Sequence, residues 1–375
     1  MPADVLDRRA LNRALLARQH LLARQPGSAL DMVRHLCGLQ AQAPFPPYYG
    51  LLARLDGFWP EELAGLLVDR RVVRIALMRG TIHLVTVEDA LAWRPLIQSV
   101  LDRALATNFG PWLAGVDLDR VAAQGRELTS REPLTFAQLG AALTATWPGN
   151  PADALAQAVR ARVPLVQVPP RAVWGQSGLA RHTPADVWLG RPETGPPTGP
   201  RRLLALTALV ERYLAAFGPA TVQDVQAWSG LTRLREVVEP MRDRLRVFAD
   251  QDGRELFDLM DGLRPGPDVP APVRLVAEYD NLILSHDDRT RIMAADDRQQ
   301  LFKQQNSFPG SVLLDGFVAG SWRVKRAKGA ATLTIELFRS RVPARDRDAL
   351  EAEAARMLAV TAPAATPDIR FVTAG

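Results

Sequence analysis

The chain has 375 residues, of which 47% are hydrophobic and 23% are charged, and this balance excludes wholesale disorder. Its length corresponds to two or three domains of ordinary size. The 46 lysine and arginine residues outnumber the 41 aspartate and glutamate residues, for a net charge of +5. This modest excess permits a nucleic acid partner without requiring one. The one cysteine, Cys37, excludes an intramolecular disulfide and a cysteine-based zinc site.

The sequence favours neither a membrane span nor a metal site. No apolar run approaches the ~18 residues that a membrane span needs, and the N-terminal segment lacks the apolar core of a secretory signal. We therefore expect no membrane partner and a cytoplasmic location, nucleoid-associated if the source is bacterial. The histidines show no metal-ligand spacing with carboxylates or with Cys37, so we expect no metal site.

The first part of the chain has the pattern of helices followed by a β-hairpin. Apolar residues at helical spacing predict a helix over 6–24, which Pro26 and Gly27 stop. Ser28 is placed to cap a second helix through residue 39, and Pro60 opens another to residue 70. Two strands are then predicted over 72–78 and 81–85.

Two later segments repeat the order capped helix, tryptophan, turn, second helix and β-hairpin. In the first, Thr135 caps a helix that leads to Trp147, and a helix over 151–162 and strands at 164–168 and 172–175 follow. In the second, Thr221 caps a helix that leads to Trp228, and a helix over 232–244 and strands at 245–249 and 255–259 follow. This is the order of a winged-helix domain, and the N-terminal segment is a candidate third copy. Alternatively, these units serve for packing or protein contacts.

The composition changes after the proline-rich stretch 265–272. Alternating segments predict strands at 273–276, 282–285, 312–314, 317–325 and 332–338, then a helix over 344–358 and a strand at 369–372. We therefore predict a mainly α fold with β, in which tandem winged-helix domains precede a small β-barrel-like domain. The predicted boundaries are 1–115, 116–200, 201–266 and 267–375.

Four segments carry a resemblance to a known family. They are residues 38–44, with the Gln-x-Gln of Gln40 and Gln42, and residues 78–85, 279–289 and 312–322. In this order they resemble the AlkZ-like winged-helix DNA glycosylases, which unhook interstrand crosslinks. In that family three tandem winged helices form a concave scaffold and a β-barrel follows. The resemblance implies removal of N-alkylated purines from double-stranded DNA, without a metal or organic cofactor.

The Gln-x-Gln segment has a geometry that suits a shared site. Two residues apart on a helix, Gln40 and Gln42 would point in different directions, whereas on an extended segment they face the same way. Pro44, Pro46 and Pro47 favour the extended conformation. We predict that both amides leave the helix end and aim at one point as catalytic groups. The alternative is that they cap a helix end beside a proline turn.

An amide cannot take up a proton, so this motif holds no general base. Guanine alkylated at N7 is already cationic and leaves without an acid. The enzyme then has to stabilise an oxocarbenium-like sugar and hold a water, which amides can do by position and dipole. The three lysines all lie in the C-terminal quarter, and none stands out as an amine nucleophile. We therefore predict a monofunctional glycosylase with water as the nucleophile.

Further site residues are predicted with lower priority. Arg79 and His83 lie in the second resembling segment and are candidate catalytic or lesion-site residues. His83 alternates with apolar residues, so a core histidine of a strand is its alternative. The candidate DNA contacts are basic residues that are clustered as phosphate binding requires, and a solvated charged face is their alternative: Arg244, Arg246, Arg323, Lys325, Arg326 and Lys328.

Two other classes of function compete with the glycosylase. A non-catalytic winged-helix regulator would bind DNA without chemistry, and a scaffold would bind protein. A regulator usually dimerises to match two half-sites. The sequence shows no heptad repeat or dimerisation helix, so we expect a monomer.

Overall fold

The computed structural model describes residues 4–192, 195–303, 308–327, 329–339 and 341–373. Its helices are α1 (Arg8–Arg18), α2 (Ala29–His35), α3 (Pro46–Arg54), α4 (Pro60–Val68), α5 (Val87–Trp93), α6 (Gln98–Phe109), α7 (Leu118–Arg131), α8 (Phe136–Thr144), α9 (Ala152–Arg162), α10 (Ala185–Leu189), α11 (Gly199–Phe217), α12 (Val222–Ser229), α13 (Arg235–Val238), α14 (Asn281–Leu284), α15 (Ala295–Leu301) and α16 (Ala344–Thr361). Short 3-10 helices cover Met78–Gly80, Gly110–Leu113 and Glu239–Arg244. None of the helices in this part of the chain is both long and apolar enough to span a bilayer.

The strands form three separate sheets. They are β1 (Asp4–Leu6), β2 (Leu39–Gln40), β3 (Val72–Ala76), β4 (Ile82–Thr86), β5 (Leu134–Thr135), β6 (Leu165–Gln167), β7 (Arg181–Pro184), β8 (Leu245–Asp250), β9 (Glu255–Leu259), β10 (Arg274–Val276), β11 (Gly310–Leu314), β12 (Phe317–Ala327), β13 (Ala330–Leu337) and β14 (Thr366–Thr373). The sheet orders are β2-β4-β3-β6-β7-β5, β1-β8-β9 and β10-β11-β12-β13-β14.

Helices begin where the sequence supplies a capping side chain. Ser28, Thr135 and Thr221 each accept a hydrogen bond from a backbone N–H of the first turn, as predicted. The side-chain oxygens of Gln138 and Asp224 each accept a hydrogen bond from the backbone N–H of the cap residue and complete two capping boxes. The local signals in the sequence therefore fix the starts of α2, α8 and α12.

Several predicted elements are shorter or of another type. The helix predicted over 6–24 is α1 alone, because His20 at φ 53° reverses the chain. The second strand of the first repeat lies at β7 rather than at 172–175, which folds as turns. The strand predicted at 282–285 is the short helix α14, since the Asp280 carboxylate accepts the N–H of Leu282 and caps it. The helix predicted over 232–244 is split between α13 and the 3-10 helix that contains Pro240.

The C-terminal part is β-rich as predicted, but its sheet is open and does not close into a barrel. Within the described residues β10 and β14 are its two edges and do not pair with each other. Helix α16 packs against β10, β13 and β14 instead. A helix that covers one face of a sheet buries its apolar residues without closure into a barrel. The mixed α/β character of the fold agrees with the prediction.

The order helix, helix, hairpin is present in both repeats, with α8, α9 and β6-β7, and with α12, α13 and β8-β9. The largest sheet joins strands of the first two predicted domains through the pairing of β3 with β6. The N-terminal β1 likewise pairs with β8, far along the chain. The tandem winged-helix interpretation and the four domain boundaries stay predictions.

Buried ion pairs join distant parts of the chain. Arg18 of α1 forms a two-pronged pair with Asp258 of β9, at 2.7 and 2.8 Å. Arg54 of α3 forms another with Asp280 before α14, at 2.8 and 2.7 Å. Paired hydrogen bonds of this kind have a defined geometry and fix the relative position of the elements that carry them. They hold α1 and α3 against the second half of the molecule.

Candidate active site

The short strand β2 places the first glutamine. Helix α2 ends at His35, earlier than predicted, and Cys37 and Gly38 then adopt φ of 56° and 84°. Gly38 has no room for a side chain, because a Cβ atom would lie 2.4 Å from Cγ1 of Val85. The chain therefore passes close against β4, and Gln40 pairs in register with His83. Gln40 thus lies on a strand and not at the end of a helix.

Both glutamine amides are held by one segment, residues 79–82. Oε1 of Gln40 accepts a hydrogen bond from Nη2 of Arg79 at 2.7 Å, and Oε1 of Gln42 accepts one from the backbone N–H of Ile82 at 3.0 Å. Gln40 is 7% exposed, whereas Gln42 is exposed to solvent. The two amides thus lie along the same edge, one buried and one open to a ligand.

The hydrogen bonds leave chemical capacity on both amides. A carbonyl oxygen has two lone pairs, and each Oε1 uses one of them for the bond to residues 79–82. Neither Nε2 group has a hydrogen-bond partner within the described residues. Each amide can therefore still accept one hydrogen bond and donate two, which is sufficient to orient a water molecule.

Arg79 orients Gln40 from a strained backbone position. Its φ of 55° lies in the left-handed region, which non-glycine residues seldom adopt. Its Nη1 donates to the carbonyl of Trp228 at 2.6 Å while Nη2 donates to Gln40. Burial, and then the charge of Arg289, lower the pKa of Arg79 to about 10. Arg79 is therefore a cation at neutral pH whose acceptors are both neutral oxygens.

His83 lies directly opposite Gln40 and is completely buried. Its Nδ1 faces the carbonyl of Thr81 at 3.1 Å, and its Nε2 has no partner within the described residues. Burial, and then the charge of Arg79, lower the pKa of His83 to about 3. The imidazole is neutral at physiological pH and is a weak base. It can accept a hydrogen bond beside Gln40 but is unsuited to take a proton from water.

Three of the predicted DNA contacts are engaged in ion pairs. Arg244 pairs with Glu211 at 3.1 Å, Arg246 with Asp4 at 3.8 Å, and Arg323 with Glu336 at 3.2 Å. All three arginines are exposed, so water and salt weaken these ion pairs. The described contacts do not connect any of them with Gln40 or Gln42.

The hairpin of β12 and β13 carries the remaining candidates. Lys325 is exposed and has no partner in the described part of the chain, and Lys328 lies outside the described residues. Arg326 donates to Tyr49 Oη and to the carbonyl of Thr361, both at 3.0 Å. Since Tyr49 belongs to α3, which follows Gln42 after a short turn, Arg326 ties this hairpin to the helix next to the glutamines.

Sequence reasoning missed the arginines that surround Gly80. Arg160 of α9 donates to the carbonyl of Gly80 at 2.7 Å. Arg289 lies in the loop after α14, and its charge lowers the pKa of Arg79. Arg289 belongs to a segment that carried the resemblance, but no role followed from it. A pattern in the sequence could not show that α9 and this loop meet the turn at Gly80. The described residues bring together no group of three histidine, cysteine or acidic side chains that could hold a metal.

Two known proteins with a similar fold or sequence are DNA glycosylases. The fold is similar to that of the solved Streptomyces sahachiroi DNA glycosylase AlkZ, with a TM-score of 0.74 and 22% identity over 99% of this chain and 100% of that one. A curated relative from the same organism is an interstrand DNA cross-link repair glycosylase, which is 24% identical over 341 residues. That match covers 82% of this chain and 85% of the relative.

The family follows from a match over most of the sequence. The model of the family described as DNA glycosylase AlkZ-like matches residues 33–360, which include both glutamines and the C-terminal sheet. The chain belongs to the AlkZ-like DNA glycosylase family, as the resemblance predicted.

Proposed function

We propose that this protein is a monofunctional DNA glycosylase that hydrolyses the N-glycosidic bond of N7-alkylguanine in double-stranded DNA, including bulky adducts and interstrand crosslinks. The observation that carries the proposal is the pair of amides, Gln40 and Gln42, fixed through their oxygens to residues 79–82. Membership of a glycosylase family and a curated relative that repairs crosslinks support the same conclusion.

The chemistry requires orientation more than proton transfer. A guanine alkylated at N7 carries a positive charge, so it departs as a neutral base when the glycosidic bond breaks. The sugar then resembles an oxocarbenium ion, and the free lone pairs of Gln40 and Gln42 stabilise it and hold the attacking water. His83 accepts a hydrogen bond as a neutral group beside Gln40. Unmodified guanine is a poor leaving group and is spared.

The protein binds DNA through basic residues that take no part in the cleavage of the glycosidic bond. Phosphate contacts from the β12-β13 hairpin come from Lys325, which is exposed and unpaired among the described residues, and from Arg326. Further candidates are Lys328, which lies outside the described residues, and Arg244, Arg246 and Arg323, which are weakly paired surface cations. The enzyme acts as a monomer without a metal or organic cofactor.

The experiment that tests the proposal is release of base from a duplex that contains N7-methylguanine. We expect wild-type protein to release it, and Gln40→Ala or Gln42→Ala to lower the rate at saturating enzyme by at least a hundredfold, in the range seen when a group that stabilises the transition state is removed. DNA affinity should stay within a few fold. Gln124→Ala is the matched control, because that amide bonds Thr146 and no described hydrogen bond connects it with Gln40, Gln42 or residues 79–82. Full activity in both glutamine variants would remove them from the site.

The competing function is a winged-helix regulator that binds DNA without chemistry. Membership of a family of DNA glycosylases does not favour it. The same assay separates the two functions. A regulator would bind the duplex with unchanged affinity after Gln40→Ala and would release no base from any alkylated duplex.

A further inference from the structure

Four arginines from four separate segments belong to, contact or act electrostatically on the region formed by residues 79–80 and the adjacent Gly230, and we name them the arginine cluster: Arg79, Arg103, Arg160 and Arg289. Arg160 donates to the carbonyl of Gly80, and Arg103 donates to the carbonyl of Gly230. Gly230 packs against Arg79, since a Cβ atom there would lie 3.3 Å from the Arg79 Cα. Arg289 is near enough for its charge to lower the pKa of Arg79.

The arginine cluster forms no ion pair with a carboxylate among the described residues. Within the described residues none of its four members lies within 4.0 Å of a carboxylate oxygen, and the hydrogen bonds of Arg79, Arg103 and Arg160 go to carbonyl and amide oxygens. The buried Arg18 and Arg54, by contrast, each have a carboxylate partner. The cluster differs from these ion pairs in that no carboxylate within the described residues compensates its charges.

Arg289 is the member of the cluster whose side chain has no hydrogen-bond partner among the described residues. Its side chain is half-buried, its Nε is buried without a hydrogen-bond partner, and its guanidinium lies 5.8 Å from the centre of the Phe302 ring. Asp288, the neighbouring carboxylate, is already paired with Arg254. Burial, and then the charge of Arg298, lower the pKa of Arg289, against a smaller opposite effect of Asp287. An unpaired, partly desolvated cation is costly to a folded protein unless a ligand compensates it.

The ligand has to be an anion with several acceptor oxygens. Arg289 and Arg298 line an open cleft, which gives an extended ligand access. Guanidinium groups frequently bind the oxygens of a phosphate with two parallel hydrogen bonds, and half or more of protein–DNA hydrogen bonds go to the phosphates and sugars of the backbone. In a DNA glycosylase the anion that must pass beside Gln40 is the backbone of the strand whose base is removed.

We infer that the arginine cluster binds a backbone phosphate next to the damaged nucleotide, with Arg289 as its main ligand. The inference rests on the proposed function for the position of the lesion at Gln40. A phosphate there also has an electrostatic consequence. Cationic arginines repel a cationic N7-alkylguanine and an oxocarbenium-like sugar, and a bound phosphate neutralises the arginines. Phosphate binding and entry of the lesion are thus favourably coupled.

The test compares Arg289→Gln with Arg131→Gln, which removes the same charge from an exposed i,i+4 pair on α7. The probe is a duplex with one tetrahydrofuran abasic site, which cannot lose a base. We expect Arg289→Gln to weaken binding about tenfold, as loss of a charged hydrogen bond does. The slope of log affinity against log salt should shrink by ~0.9, whereas Arg131→Gln changes neither. Unchanged affinity and slope in Arg289→Gln would overturn the inference.

A second measurement identifies the phosphate. Single uncharged methylphosphonate linkages are placed in turn on either side of the abasic site. At one of these linkages the uncharged substitution should lower the affinity of wild type about tenfold. The same substitution should not lower the affinity of Arg289→Gln further, because the variant and the uncharged linkage remove the same contact. Fully additive losses at every linkage would contradict a direct contact.

Thermal unfolding separates a binding role from a structural one. Since Arg289 makes no hydrogen bond or ion pair within the described residues, Arg289→Gln should melt at a temperature no lower than wild type. A clear drop in melting temperature would make Arg289 a structural residue and overturn the inference. If the protein releases no alkylated base but the binding results hold, the proposed function fails and the phosphate site stands.

Discussion

At the scale of single residues, the catalytic proposal depends on amides that cannot titrate. Gln40 and Gln42 offer oriented lone pairs, but neither amide gains or loses a proton in the physiological pH range. The titratable side chains that contact or face Gln40 are His83, with a pKa of about 3, and Arg79, with a pKa of about 10. Neither group changes its charge near neutrality.

This arrangement predicts a flat pH profile. Between pH 6 and 9 the single-turnover rate of base release from N7-methylguanine DNA should vary by less than about twofold, because His83 stays neutral and Arg79 stays charged. Gln42→Glu serves as the comparison, since a carboxylate is an ionisable acceptor at the same position. An inflection near pH 7 in the wild-type profile would require a general base other than the groups described.

At the scale of elements, the position of Gln40 depends on how α2 is joined to β2. Gly38 combines a φ of 84° with a backbone that lies against Val85, so two separate requirements meet at one residue. Gly57 is a suitable comparison, because its φ is 69° but a Cβ atom there would have nothing within 4 Å.

We predict that Gly38→Ala is more harmful than Gly57→Ala. An alanine at positive φ costs ~1–2 kcal/mol, and this is the whole expected effect at Gly57. At Gly38 the overlap with Val85 adds ~1–3 kcal/mol and displaces β2, so base release should fall as well. Chemical denaturation gives the free energies of unfolding, and the base-release assay gives the activity. Equal losses in the two variants would show that the close packing of β2 is unimportant.

At the scale of the whole molecule, the histidines make stability depend on pH. His83, His182 and His286 are buried, and burial is the first cause that lowers the pKa of each, to about 3, 4 and 3. In the unfolded chain a histidine titrates near 6.5, so between about pH 4 and 6.5 the unfolded state binds more protons. Stability is therefore full above pH 6.5 and is lost as the pH falls below it.

We predict a steep loss of stability in mild acid. Each of these three histidines contributes up to ~1.4 kcal/mol per pH unit below its unfolded pKa, for about 4 kcal/mol per unit together. Urea unfolding at pH 7.0 and 5.5 measures the effect, and His182→Gln should remove one histidine's contribution, ~1.4 kcal/mol per pH unit. A free energy of unfolding that is equal at the two pH values would show that the histidines are protonated in the folded protein.

The sequence by itself determined the features that depend on neighbouring residues. Capping side chains set the starts of α2, α8 and α12, and the strands predicted at 245–249 and 255–259 form the β8-β9 hairpin. The ordered motifs also identified the family, because they are read directly from the chain. The Gln-x-Gln segment could be singled out as a candidate site before any tertiary contact was known, and its role stays a prediction.

Only the tertiary structure decided which groups surround that segment. Arg79 contacts Gln40 across 39 residues of sequence, and Arg289 approaches Arg79 from more than 200 residues away. The open C-terminal sheet also depends on distant packing, since α16 covers its face. The physical reason is the same in each case. Local propensities depend on residues a few positions apart, whereas burial, charge compensation and strand pairing depend on which segments the folded chain brings together.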